Sequence, residues 1–375
     1  MRVLVFPRDD QNPYQRLLYT EMERLGTRIS YLGCVTPSRT LNLLVLPLET
    51  ALRGIGRARL VHLHWVFGFG FPGAHRVPGM RRLAQAWFSF WLRTVRRLGV
   101  PMVWTAHNVL PHAPVFADDV VARRTLVAAS DLVVAHCQPA LTGLAALGAV
   151  PRRSAIIPHG PLATALLPTA LRMPGSGNGP RHILFFGKIL PYKGVEDLLV
   201  AFRALPNDLT VRLTVAGQCD DAAMRSRLCA LAGADRNRVS LRLGRIGEAD
   251  IAPLLISADV VALPYRRVTT SGSAMLALAY GRPLVLPELA EFAHLPRDAV
   301  LSYDGTSQAL TTALNQIACA ASSRLIDMGI AAIGYAATLS WRDIANRTNA
   351  EMVSLLGHPG LRSGQEQGNR AGEAL

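Results

Sequence analysis

The chain has 375 residues, half of them hydrophobic, and a formal charge of 40 − 26 = +14. That length suits two domains of ordinary size, and no run approaches the twenty uninterrupted apolar residues of a membrane-spanning helix. The basic surplus fits an anionic membrane surface, an anionic substrate or nucleic acid, and nucleic acid is set aside because no helix-turn-helix, finger or aromatic RNA-binding signature is present.

Two further features bear on compartment. Met1-Arg2 leads straight into the strand-like Val3–Phe6, with Asp9 and Asp10 close behind, which leaves no room for a secretory leader. The five cysteines (Cys34, Cys137, Cys219, Cys229 and Cys319) are scattered and lack metal spacing, as expected of a reduced cytoplasmic protein.

Residues 1–168 alternate strand and helix, the pattern of a parallel sheet wrapped by helices. The first strand ends in Pro7-Arg8-Asp9-Asp10-Gln11-Asn12-Pro13-Tyr14, and a helix follows to about Leu25. Open parallel sheets bind ligands beyond the carboxyl ends of their strands, which puts Asp9, Asp10 and Asn12 at a candidate site. Capping of the helix by Asp10 or Asn12 explains them equally well. Leu60–Trp65 reads as a strand with His62 and His64 on one face. No cysteine or carboxylate completes a metal set there, so His64 and Trp65 read as a polar strand end lining a cleft.

Residues 81–98 predict a helix with Ala84, Trp87, Phe90, Trp91, Val95 and Leu98 on one side. Arg82, Gln85, Ser89, Arg93, Arg96 and Arg97 fall on the other. It reads as a sheet-covering helix or, alternatively, as a membrane-surface helix. The strand Met102–Thr105 then runs into Ala106-His107-Asn108-Val109-Leu110-Pro111-His112, and strands over 132–136 and 155–160 follow.

Pro174-Gly175-Ser176-Gly177-Asn178-Gly179-Pro180 reads as a flexible linker that cannot pack, spanning 169–181. Alternation restarts over 182–335. Of the 40 basic residues only two are lysine, Lys188 and Lys193, and both lie in Phe185-Phe186-Gly187-Lys188-Ile189-Leu190-Pro191-Tyr192-Lys193-Gly194. A buried strand, a glycine turn, point-charge ammonium groups and a helix start together predict an anion site. Later strands end at Gly217-Gln218 and at Gly244-Arg245-Ile246-Gly247. Thr269-Thr270-Ser271-Gly272-Ser273 offers hydroxyls and unpaired N–H groups ahead of a helix over 273–280. Residues 324–356 predict helix, and the composition from Gly357 to Leu375 predicts disorder.

Gly187-Lys188 and Lys193-Gly194 before a helix resemble the donor motif of GT-B glycosyltransferases, especially family 4 and its relatives, and the resemblance extends over roughly residues 1–356. It implies an α/β GT-B fold of two Rossmann-like domains facing each other across a cleft. Residues 1–168 would bind acceptor and 182–335 the nucleotide sugar, with a helix over 336–356 crossing back to the first domain. By the same resemblance Lys188 and Lys193 hold the donor diphosphate. Gly187, Gly217, Thr270, Ser271, Gly272 and Ser273 surround it, and Arg245 and Ile246 lie beside the base. The Thr-x-His-Asn strand end places His107 near the donor sugar, and Asn12, Tyr14, His64, Trp65 and Asn108 line the acceptor side.

One departure matters. Family 4 members carry two glutamates at the spacing of Val268 and Leu276, and both are missing here, so a retaining mechanism is not carried over. The Asn-Pro-Tyr, His-Asn-Val-Leu-Pro-His and Thr-Ser-Gly-Ser stretches look most like bacterial GDP-mannose:glycolipid 4-β-mannosyltransferases. That resemblance implies inverting transfer of mannose to a lipid-linked oligosaccharide or glycolipid in polysaccharide synthesis, at the inner face of the plasma membrane. Asp9, Asp10 or His107 would be the general base. The basic residues would stabilise the leaving diphosphate, so no metal and no cofactor is expected. The alternatives are a UDP-sugar-dependent transferase, an epimerase of like architecture, and a nucleotide-sugar-binding protein without turnover.

Overall fold

The structure, a computed structural model, describes all residues except 11, 57, 72–76, 78, 112, 163–171, 178, 234 and 358–375. His112 and the tail expected to be disordered lie outside the described residues. The chain forms two units, one of Met1–Pro158 with the chain from Trp341 onward, the other of His159–Ser340.

Unit 1 runs β1 (Arg2–Phe6), α1 (Pro13–Arg24), β2 (Arg28–Tyr31), α2 (Arg39–Gly54), β3 (Arg59–Leu63), α3 (Met80–Arg97) and β4 (Met102–Ala106). It continues with α4 (Asp119–Ala129), β5 (Leu132–Ala135), α5 (Gln138–Ala146) and β6 (Ser154–Ile156). The strands pair in parallel in the order β2-β1-β3-β4-β5-β6. Helices on a parallel sheet bury both its faces, so the central strands are apolar throughout: Val3, Leu4, Val5, Leu60, Val61, Val103 and Val133 are all fully buried. Asn12 caps α1, its side chain accepting from the Tyr14 N–H at 3.0 Å, and Pro13 fills the first helical position.

Helix α3 differs from expectation in its inward face. Ala84, Phe88, Trp91, Leu92 and Val95 are buried, whereas Phe90 is exposed and Trp87 half-buried. The spacing 84, 88, 91, 95 follows the helical turn, and Phe90 falls off that line.

Unit 2 runs β7 (Arg181–Phe186), α6 (Val195–Arg203), β8 (Val211–Ala216), α7 (Ala222–Gly233), β9 (Val239–Arg242), α8 (Glu248–Ser257) and β10 (Val260–Ala262). Then come α9 (Gly272–Ala279), β11 (Leu284–Pro287), β12 (Val300–Tyr303), α10 (Ser307–Ala318) and α11 (Ser322–Ala337). This sheet is also parallel, in the order β12-β11-β10-β7-β8-β9. Each unit is a Rossmann-like layered α/β body. The last helix, α12 (Trp341–Gly357), packs on unit 1: Thr27 Oγ1 donates to Asn349 Oδ1 at 2.7 Å, and Arg347 donates to the Ile156 carbonyl at 2.6 Å.

The proline- and glycine-rich run expected to be a free linker is corrected. The units divide after Pro158, not at residue 168, and Pro174 and Gly175 are buried in unit 2. The cause is Asp259, which is 3% exposed. Its Oδ1 accepts from the Gly175 N–H (2.8 Å) and from both Arg172 terminal nitrogens (2.7 and 2.9 Å), and its Oδ2 accepts from the His182 N–H (2.8 Å). Arg282, fully buried, adds to the same corner by donating to the carbonyls of Tyr280, Ala258 and Arg172. Removing Asp259 would leave the buried Gly175 and His182 N–H groups without their acceptor, and an unsatisfied buried donor costs about 1–3 kcal/mol. Asp259→Ala is therefore expected to destabilise unit 2 by about that amount in urea denaturation, and a loss below about 1 kcal/mol would show that Asp259 is not what holds the run in place.

Candidate active site

In unit 2 the strand ends close up on glycine. A Cβ on Gly217, just after β8, would stand 1.9 Å from the Gly187 carbonyl oxygen. Gly187 itself has φ +134°, and a Cβ there would meet Ser273 Oγ at 2.7 Å and Lys193 Nζ at 3.2 Å. An ammonium and a hydroxyl thus converge over bare backbone. Lys193 is delivered by a short 3-10 turn, Pro191–Lys193, that ends on left-handed Gly194. A Cβ at 194 would lie 2.0 Å from the Pro264 carbonyl oxygen. Tyr192 O accepts from the Arg266 N–H at 2.8 Å, and Arg266 forks onto Asp197 with two contacts of 2.9 Å, so the loop after β10 is tied to the turn that carries Lys193. On that loop Ser271 caps α9, accepting from the Ala274 N–H at 3.1 Å, which sets Ser273 in the first helical turn. A cation beside a helix N-terminus and exposed backbone is an arrangement that favours an anion.

Lys188 sits differently. Its Nζ lies 3.0 Å from Asp220, whose carboxylate also accepts from Gln218 Nε2 at 2.6 Å. The Lys188 contact holds the Asp220 carboxyl below its usual range. Of the two lysines, only Lys193 is brought to Ser273. Arg245 is exposed and Ile246 half-buried between β9 and α8. Val268 packs partly against the unit 2 core and Leu276 is buried, so neither position offers a carboxylate.

In unit 1 a histidine follows each of three consecutive strands: His64 after β3, His107 after β4 and His136 after β5. With His62, Tyr19 and Thr105 they form one hydrogen-bonded line. The contacts are Thr105 Oγ1–His62 Nε2 (2.8 Å), His62 Nδ1–Tyr19 OH (2.7 Å) and Tyr19 OH–His64 Nε2 (2.6 Å). Next come His64 Nδ1–His107 Nε2 (3.0 Å), His107 Nδ1–His136 Nε2 (3.3 Å) and His136 Nδ1–Ile157 O (2.9 Å). A carbonyl can only accept, so His136 Nδ1 carries the proton. With neutral rings each step then follows: His107 Nδ1–H donates to His136, His64 Nδ1–H to His107, Tyr19 O–H to His64, His62 Nδ1–H to Tyr19, and Thr105 O–H to His62. Burial keeps His62 and His64 neutral, pushing His62 down to about 3 and His64 well below its ordinary value. Trp65 stacks on His107 with ring centres 4.6 Å apart, and Tyr14 meets the His107 ring edge-on at 4.7 Å.

A family model described as Glycosyl transferases group 1 matches residues 180–319. That stretch is similar to the group 1 glycosyl transferases. The matched group 1 domain carries Gly187, Lys193, Ser271 and Ser273. The chain is also 30% identical over 237 residues to a GDP-mannose:glycolipid 4-beta-D-mannosyltransferase of Xanthomonas campestris pv. campestris. That alignment covers 62% of each protein, so the chain spans 62% of the length of the curated relatives it matches. Sucrose-phosphate synthase from Thermosynechococcus elongatus superimposes with a TM-score of 0.71 at 16% identity, over 95% of this chain and 99% of that one. Anabaena HepE in complex with UDP-glucose gives 0.66 at 15% identity, over 94% and 99%. The fold is GT-B.

The other residues singled out from the sequence divide as follows. In unit 2, Gly217 abuts Gly187 at the strand ends, while Thr270 lies on the loop before α9 and Gly272 opens that helix one residue ahead of Ser273. In unit 1, Asp9 is half-buried, its Oδ1 accepting from the Asn12 N–H at 3.3 Å, while Asp10 is exposed and paired with Arg8 at 2.8 Å. Asn108 is half-buried. His62, His64, Trp65 and Tyr14, of which His64, Trp65 and Tyr14 were read as lining a cleft, are all buried, and the ring nitrogens of His62 and His64 are hydrogen-bonded inside unit 1. The line leaves no nitrogen of His62 or His64 for a metal. Tyr19 and His136 were not foreseen as site residues, although the recurrence of histidine after successive strands is legible in the sequence.

The depressed histidines make stability pH-dependent. His62 takes up a proton near 6.5 when unfolded but only near 3 when folded. Its stabilising contribution is whole above 6.5 and is lost as pH falls towards 3, by about 2 kcal/mol at pH 5. Urea midpoints for unit 1 should be flat from pH 7 to 8 and fall steadily from pH 6.5 to 5; a profile flat across the whole range would mean that these rings take up protons in the folded protein as they do when unfolded.

Proposed function

We propose that the protein is a glycosyltransferase that moves a hexose from a nucleotide-sugar donor to an acceptor hydroxyl on a lipid-linked oligosaccharide or glycolipid. The observation that carries this reading is the convergence of Lys193 Nζ and Ser273 Oγ over the bare backbone of Gly187, beside the start of α9. That arrangement suits a diphosphate, whose charge grows as the glycosidic bond breaks. The match of residues 180–319 to the group 1 family model supports the same reading. Mannose from GDP-mannose is the donor we favour, because the Xanthomonas relative is named for it. Hydrophobic Val268 and Leu276 where retaining relatives place carboxylates favour inversion, which needs a base to deprotonate the acceptor. With a nucleotide-sugar donor and a lipid-linked acceptor, the reaction we propose takes place at the cytoplasmic face of a membrane.

Among the three candidate bases, His107 has both nitrogens engaged, Nε2 accepting from His64 and Nδ1 donating to His136. We therefore assign it to positioning. Asp10 is neutralised by Arg8 in solvent. Asp9, half-buried at the carboxyl end of β1, is the base we propose. Asp9→Asn is expected to keep donor affinity and lose about 10²–10⁴ in turnover. Asp10→Asn should stay close to wild type, and the reverse ranking of the two variants would reassign the base.

Acceptor-dependent release of nucleoside diphosphate tests the class: release without acceptor, or none at all with a panel of GDP-, UDP- and ADP-sugars, rules out the transferase. Within the donor site, Lys193→Arg keeps the charge but replaces a compact ammonium with a wide planar fork. A charge-assisted contact contributes about 1.5–3 kcal/mol, so calorimetric affinity for the nucleoside diphosphate should fall roughly ten- to hundredfold. Wild-type affinity in this variant would remove Lys193 from the donor site.

A further inference from the structure

Helix α2 is apolar on both sides. Leu43, Leu46, Pro47 and Thr50 face the interior, yet Leu41, Leu44, Leu48 and Leu52 point outward, followed by Ile55. These outward residues are 46–69% exposed and recur at three- and four-residue steps, which makes one continuous stripe. A soluble helix normally turns charged groups to water on that side. Helix α3 lies alongside, joined by Trp87 Nε1 donating to the Leu43 carbonyl (2.8 Å) and Trp91 Nε1 donating to Thr50 Oγ1 (3.0 Å). It adds exposed Leu83 and Phe90 to the apolar surface, then exposed Arg93, Arg96 and Arg97.

The charge around this surface has one sign. Between Glu23 and Asp118 the sequence holds twelve arginines and one carboxylate, Glu49. Glu49 is turned inward, buried, and bound by Arg53 at 2.5 Å and by the Gly33 N–H at 2.8 Å. Exposed leucines bordered by arginines, with no outward carboxylate, match the interface of an anionic bilayer, where apolar side chains enter the acyl boundary and guanidinium groups stay among phosphates.

We propose that the outer face of α2, extended by Leu83 and Phe90 of α3, is a docking surface for an anionic phospholipid bilayer. The helix lies flat on the lipid, since among the described residues no single helix is long and apolar enough to cross a membrane. The membrane-surface reading of α3 alone is thereby modified: α2 supplies the apolar contact and α3 mainly the charge. This deepens the reading of a lipid-linked acceptor and rests on it for its purpose, but the test needs neither donor nor acceptor, so the two can fail separately.

The test is flotation of the whole chain with vesicles of phosphatidylcholine mixed with phosphatidylglycerol, and with vesicles of pure phosphatidylcholine, at low and high salt. Wild type should float with the anionic vesicles, with weaker binding at high salt and little to pure phosphatidylcholine. Leu44→Ser/Leu48→Ser should cut vesicle affinity about tenfold or more, and Arg93→Gln/Arg97→Gln should weaken binding and flatten its salt dependence. All four positions are exposed, and unchanged melting curves would confirm intact folding. Absence of flotation at low salt, or wild-type binding by the double serine variant, overturns the proposal. So does a concentration-dependent dimer in sedimentation that the serine variant abolishes while vesicles fail to bind, which would assign the stripe to a second copy of the chain.

Discussion

The chemistry of unit 2 depends on two backbone approaches that no side chain would permit. The Gly187 carbonyl fills the space of a Cβ at 217, and the Pro264 carbonyl fills the space of a Cβ at 194. The first brings the ends of β7 and β8 together with nothing but main chain at their junction. The second locks the 3-10 turn against the loop that follows β10, so the position of Lys193 and the position of α9 are set by the same contact. Glycine loses more conformational freedom on folding than any other residue, and here that cost accompanies access to the backbone. The lysine does not find the site by its own flexibility.

Unit 1 is ordered by a different kind of constraint. One carbonyl, that of Ile157, fixes the tautomer of His136, and the assignment passes ring by ring to Thr105. Chains of this kind reinforce one another where the dielectric is low, and leave a costly orphan if any member is lost. His107 sits in the middle, clasped on both nitrogens, with Trp65 across its face and Tyr14 at its edge. Its orientation is over-determined, which suits a residue that positions its neighbours.

How much of this the sequence declared depended on range. The strand–turn–helix at 185–199 was legible because its glycines and lysines act within a few residues of each other, and the alternation of strand and helix sufficed for both Rossmann-like sheets. Which lysine serves the site was not legible: Lys188 pairs with Asp220 across the strand ends, a contact between two different loops. The proline–glycine run looked unpackable because its partner, Asp259, stands 84 residues further along the chain. Helix α2 escaped notice because leucine on both faces removes the polar–apolar contrast on which a helical period is read. His62 and His64 were placed on one strand face correctly, but alternation alone does not say that a tyrosine from α1 will sit between their rings and draw them inside.

The return of α12 to unit 1 has a consequence for how the protein is made. The chain leaves unit 1 at Pro158 and re-enters it at Trp341, whose ring packs 5.2 Å from Tyr14 beside the histidine line. Arg153 then reaches Glu351 at 2.5 Å, which joins the end of the first stretch to the last helix. Folding during synthesis usually completes domains from the N-terminus onward. In this chain the order is inverted. All of unit 2 is synthesised before the piece that packs on Tyr14, so the earlier-made part of unit 1 must keep that face until the last helix is made, and the body that begins first in the gene is the one completed last.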